Sequence, residues 1–169
     1  MKQAAFTNEL EFLSNMYPCK IKLTEENMKT FPKEIVPYWW KAKPYFWTFN
    51  SSEHIYQAAK SEDVAWAELI FKTQFPKKTK ILARKLIPKT HDLLEGFHEN
   101  KIELMTWIVH EKFSQNKHLA EKLKSLGEME LVETNYWNDT FWGVCNGVGY
   151  NHLGKILMKE KSFLQKSFS

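Results

Sequence analysis

The stretch Ser51-Ser52-Glu53-His54-Ile55-Tyr56-Gln57-Ala58-Ala59-Lys60 places an acid, an amide and an amine at spacings that a helix gathers on one side. Successive residues turn by about 100° around a helix axis, so Glu53, Gln57 and Lys60 fall in a stripe roughly 60° wide, bordered by Tyr56. Ile55, Ala58 and Ala59 lie opposite and suit close packing. A carboxylate beside an aromatic-rich segment and partly desolvated suits general-acid work, because loss of solvent disfavours its charged form. His54, next to Glu53, joins the group. The same spacing also describes a plain exposed Glu-to-Lys face.

A second candidate lies between Glu133 and Asn151. Asp139 stands three residues before Trp142, and Gly143, Gly147 and Gly149 let backbone approach a ligand closely. Asn135, Asn138, Asn146 and Asn151 offer uncharged hydrogen bonds suited to a heterocycle or a ribose. An aromatic turn without a ligand fits the same residues. No Walker-type loop is present, and no GxGxxG joins a strand to a helix. The basic run Lys77, Lys78, Lys80, Arg84, Lys85 and Lys89 can face phosphates or form a solvated helix face. Cys19 and Cys145 have no CxxC partner and the histidines no ligand spacing, so two buried thiols and no metal are expected.

These residues need elements to hold them. The 169-residue chain, 43% hydrophobic and 26% charged, reads as a single domain. Helices are predicted from the Asn50-Ser51-Ser52 cap to about Glu62, then over about 63–73, 77–86, 97–115 and 117–126, and from Asn151 onward. Residues 24–37, with Pro32 and Pro37, read as a surface loop or insertion; the possible insertion extends over 24–49. YWWKAKPYFWTF at 38–49 reads as a strand or hairpin edge. Leu131 and Val132 open a short extended piece. The expected fold class is α+β, a predominantly helical single domain around a small β-sheet. A charge of +4 is too small for a DNA-coating protein. MKQAAFTNELEF lacks the apolar core of a signal peptide and no stretch of about 18 apolar residues occurs, so a cytoplasmic location without a membrane partner is expected.

Read in order, FLSNMYPC (12–19), SSEHIYQAAK (51–60), KFSQN (112–116), LVE (131–133), DTFWG (139–143) and GYNHLGKILM (149–158) resemble the signature blocks of the NADAR superfamily, also called the YbiA-like family. The resemblance implies an α+β domain that cleaves N-glycosidic bonds to ribose without a cofactor. The substrates it implies are small-molecule nucleotides, such as the phosphoribosylamino-pyrimidines of the riboflavin pathway, or ADP-ribosylated guanine in nucleic acid. Its SxEHxxQxxK block falls on Ser52, Glu53, His54, Gln57 and Lys60, its D-x-x-WG block on Asp139, Trp142 and Gly143, and its GxNxLG block on Gly149, Asn151, Leu153 and Gly154.

On this reading Glu53, Lys60 and Asp139 are catalytic. Glu53 activates water or stabilises the sugar cation, Asp139 supplies a second carboxylate or positions ribose hydroxyls, and Lys60 holds a phosphate, protonates the leaving nitrogen or forms a Schiff base. Asn15, Trp47, Ser52, His54, Gln57, Arg84, Trp142, Gly143 and Asn151 bind substrate, Trp142 and Trp47 by stacking. WGVCNG, His152 in place of an arginine, Ala83-Arg84 in place of Gly-Arg, and Phe97-His98 depart from the family pattern and bear on substrate choice and phosphate contacts. Two rivals stand beside this reading: a non-catalytic sensor of ADP-ribose or NAD-like nucleotides, and a nucleic-acid binder using the 77–89 basic segment.

Overall fold

The computed structural model describes residues 3–4, 6–87 and 89–167. It divides into two compact units, one continuous, Pro18–Gln115, and one assembled from the residues before Pro18 and those after Gln115. Helices dominate, and among the described residues three pairings of two-residue strands supply the β component, which is the α+β class expected. No helix among the described residues is long and apolar enough to cross a membrane.

In the continuous unit β2 (Ile21–Lys22) runs antiparallel to β3 (Thr48–Phe49). Between them the structure corrects two expectations. Residues 24–37 are not a bare surface loop: Thr24 and Asn27 form a reciprocal capping box on α1 (Glu25–Met28), and Met28, Phe31 and Ile35 are buried. The aromatic run is not a strand over its length, because Tyr38–Ala42 forms a helix, α2, and extended backbone is confined to β3. Tertiary collapse overrides strand preference here. Trp39 meets Trp47 edge-on at 4.9 Å, Trp47 stacks on Phe49 at 5.8 Å, and the Trp39 indole N–H donates to the Ser61 carbonyl at 3.1 Å.

α3 (Ser52–Ala58) begins where the hydroxyl-rich cap predicted, with Ser51 Oγ accepting the His54 N–H at 3.3 Å. All seven of its residues are buried. α4 (Val64–Lys72), α5 (Pro76–Leu86) and α6 (Phe97–Gln115) pack against it. Pro76 opens α5, its missing N–H costing nothing at a first helical position. The last turn of α6 serves as a partner for β2: Gln115 Oε1 accepts the Lys22 N–H at 2.8 Å and Gln115 Nε2 donates to the Lys22 carbonyl at 3.0 Å. One turn earlier Lys112 is 1% exposed, and burial pushes its pKa down to about 8.

In the other unit β1 (Gln3–Ala4) pairs in parallel with β4 (Glu130–Leu131). α7 (Lys117–Ser125) ends ahead of Gly127, whose φ of +55° suits glycine, and packs with α8 (His152–Lys166). β5 (Thr134–Asn135) pairs in parallel with β6 (Val144–Cys145), and the glycine- and amide-rich loop lies around them.

Candidate active site

The stripe on α3 exists, but it is not an exposed face. Glu53 is 7% and Gln57 1% accessible, and Gln57 Nε2 donates to Glu53 Oε1 at 2.6 Å across one helical turn. That bond turns the glutamine carbonyl away, and Gln57 Oε1 is buried without a hydrogen-bond partner among the described residues. Lys60 lies two residues beyond the helix, with its ammonium 5.3 Å from the centre of the Tyr56 ring and 5.9 Å from that of Phe97. Burial pushes the Lys60 pKa below the usual lysine range. Glu53 pulls it back up, while Lys80, Arg84 and Lys101 push it further down. One side chain is thus flanked by an acid, two aromatic faces and three further cations, a setting able to hold an anion or to supply an unprotonated amine.

Two of the neighbours that matter, Lys80 and Lys101, were not among the site residues expected from sequence. Lys80 belongs to the basic run read as able to face phosphates, whereas no spacing around Lys101 pointed to Lys60. It is the packing of α5 and α6 on α3 that makes these residues neighbours of Lys60.

His54 is fully buried, and both ring nitrogens are engaged. Its Nε2–H donates to the Thr73 carbonyl at 2.8 Å and its Nδ1 accepts from the Ser51 hydroxyl at 2.7 Å, the tautomer the carbonyl requires; burial pushes its pKa down. His54 therefore fixes the start of α3. Ser52 is fully buried as well, with Oγ unpartnered among the described residues. Trp47 is 0% exposed, stacked on Phe49 and edge-on to Trp39 and Phe71.

In the other unit Asn15 is half-buried after the 3-10 turn Asn8–Leu13. Asp139 is engaged in the scaffold of its loop: Oδ1 accepts the Trp142 N–H at 2.9 Å, while its own N–H and carbonyl meet the Asn135 side chain at 3.0 and 2.7 Å. Trp142 is half-buried, edge-on to Phe141. Gly143 sits where a Cβ would lie 2.1 Å from the Glu133 carbonyl oxygen. Asn151, at φ 52°, accepts the Glu133 N–H through Oδ1 and donates to the Leu131 carbonyl through Nδ2, both at 3.0 Å. These side chains shape backbone. A groove of about 510 Å³ beside them is lined by Asn135, Asn146, Gly149, Tyr150, Asn151 and Lys155. Among the described residues no group of three His, Cys, Asp or Glu side chains can hold a metal ion.

The NADAR domain profile matches residues 4–165, nearly the whole chain. The chain belongs to the NADAR family. Among curated NADAR relatives, a riboflavin biosynthesis protein of Vibrio vulnificus is 33% identical over 157 residues, covering 92% of this chain and 36% of that protein. An N-glycosidase of Nostoc punctiforme is 35% identical over 121 residues, 69% of this chain and 75% of the relative. The chain thus spans about a third of the first relative and three quarters of the second. The NMR structure of Escherichia coli YbiA superposes with a TM-score of 0.72 at 24% identity, covering 99% of this chain and 86% of YbiA, a likeness of fold.

Proposed function

We propose that this NADAR protein is an N-glycosidase that hydrolyses the bond between a ribosyl C1 and a base nitrogen in a phosphorylated small molecule. The observation that carries the reading is the buried Glu53 carboxylate, held by Gln57 beside Lys60. As the C1–N bond breaks, positive charge builds on C1 and the ring oxygen, and the bonding pair leaves with the base. Glu53 Oε1 is held by Gln57, and the carboxylate offsets the sugar charge and takes the proton of the water whose oxygen bonds to C1. Gln57 Oε1, a buried acceptor, receives a ribose hydroxyl. The cations around Lys60 hold the phosphate. The Nostoc relative is named an N-glycosidase, and the Vibrio relative's name favours a riboflavin-pathway ribosylamino-pyrimidine over ADP-ribosylated guanine.

The depressed pKa of Lys60 favours a second route. An unprotonated Lys60 amine bonds to C1, the base leaves with the C1–N pair, the sugar ring opens to a Schiff base, and water then releases the sugar. The test is incubation with ribosylamino-pyrimidine phosphates, ADP-ribosylated guanine DNA and NAD, with products identified by mass and with borohydride added in parallel. Glu53→Gln should abolish product without changing the melting temperature. A borohydride-stable adduct lost in Lys60→Arg selects the covalent route. Saturable binding with no product from any substrate would replace the enzyme reading with that of a nucleotide sensor.

A further inference from the structure

Seven of the chain's 24 Lys and Arg lie between Lys72 and Lys89 with no acid among them, so the remainder carries 17 cations against 20 acids. The positive charge of this protein is one segment. α5 is its centre, and helical spacing sorts its residues cleanly. Thr79 and Ala83 form the buried line, and Arg84, Lys77, Ile81, Lys85 and Lys78 spread over about 120° of the opposite, solvent-facing arc. Lys72 pairs with Glu68 at 3.6 Å, whereas Lys77, Lys78, Arg84, Lys85 and Lys89 make no ion pair among the described residues. Lys77 and Lys78 occupy the first turn, where no acid stands and where the helix dipole disfavours cations. A sequence that keeps lysines there maintains a positive face against the helix's own preference.

We propose that the solvent face of α5 binds the phosphodiester backbone of single-stranded nucleic acid, with Phe75 as a stacking platform for an unpaired base. Phe75 is 63% exposed at the foot of the helix and borders a groove of about 450 Å³ whose rim carries the Asn50 and Gln74 amides beside Pro18 and Pro76. Phosphates spaced along a strand match cations spaced along a helix, and an exposed ring stacks on any base. A lipid surface fits less well. Membrane-lying helices present a broad apolar face, and here the small apolar side of α5 is spent on packing, leaving Ile81 alone among the lysines. This inference shares Arg84 with the proposed substrate site and otherwise uses other residues, and it concerns binding without cleavage.

The test uses the full chain with fluorescein-labelled 20-nucleotide single strands of DNA and of RNA, and with vesicles of anionic phospholipid. Five phosphate contacts at a slope of about −0.7 each lower affinity roughly 130-fold between 50 and 200 mM salt. The triple variant Lys77→Glu, Lys78→Glu, Lys85→Glu leaves about two contacts, so its affinity is weaker and its salt response falls to roughly sevenfold. Phe75→Ala weakens binding with the salt slope unchanged. Two of the three substitutions place acids at the first turn, where the dipole favours them, while Lys85→Glu places one at the last turn, where it does not, so the melting temperature of the triple variant is measured alongside to separate lost binding from lost folding. Turnover of a small substrate is expected to be the same in the triple variant. Salt-insensitive oligonucleotide binding, equal binding by the triple variant, or binding of vesicles in preference to strands would each overturn the proposal.

Discussion

Gly154→Ala is expected to destabilise this protein, although alanine at an ordinary helix position is about 1 kcal/mol better than glycine. Gly154 is the third residue of α8, and a Cβ there would stand 2.2 Å from the Leu131 carbonyl oxygen and 2.4 Å from Asn151 Oδ1. Restoring ordinary contact moves the β4 backbone by more than an ångström. The movement stretches both Asn151 hydrogen bonds, to the Glu133 N–H and the Leu131 carbonyl, each now 3.0 Å. Leaving those buried groups unpaired costs about 1–3 kcal/mol each, and repacking costs about 1–3 more. After subtracting the propensity gain, a net loss of about 5 kcal/mol remains, a fall in melting temperature of roughly 15 °C for a chain of this size. Calorimetry on the variant and on Gly127→Ala makes the comparison. Gly127 has open space around a positive φ, so its substitution carries backbone strain alone, about 1 kcal/mol. A Gly154→Ala variant that melts at or above the parent temperature would refute the role assigned to this turn.

Lys112 gives a pH prediction. Its folded pKa is about 8 against an ordinary 10.5, so both folded and unfolded chains hold the proton below pH 8 and the folded state bears the full cost of a buried charge. Between those values the folded chain sheds the proton while the unfolded chain keeps it, so stability rises with pH. Urea titrations should show the parent gaining up to about 3 kcal/mol relative to Lys112→Met across that window; a flat difference would count against it. Trp47→Phe, which removes an indole N–H with no acceptor among the described residues, should leave KM within about twofold, whereas loss of a stacking contact would raise it about fivefold or more.

Helix ends were legible where chemistry punctuates them: Ser51 caps α3, Pro76 starts α5 and Gly127 follows α7. The Glu53–Gln57 pair was legible because one helical turn decides it. The aromatic run at 38–49 was not, since seven rings in twelve residues signal burial without stating a period. Nor could spacing separate a glycine that admits a ligand from one that admits another strand of backbone; Gly143 turned out to lie against Glu133. Trp47 carries a related ambiguity: ring chemistry suits stacking on a base and stacking on Phe49 equally well. Lys101 entered the surroundings of Lys60 through a long-range contact that no local pattern encodes.

The pairing of Gln3–Ala4 with Glu130–Leu131 means that the opening strand of one compact unit and its partner lie on either side of the whole continuous unit in sequence. The continuous unit has all its parts by Gln115 and can fold while the remainder is still being translated. The opening strand must wait for its partner throughout. Stalled nascent chains should therefore gain protease resistance in two steps, the earlier once Gln115 has cleared the exit tunnel and the later after α8 has done so.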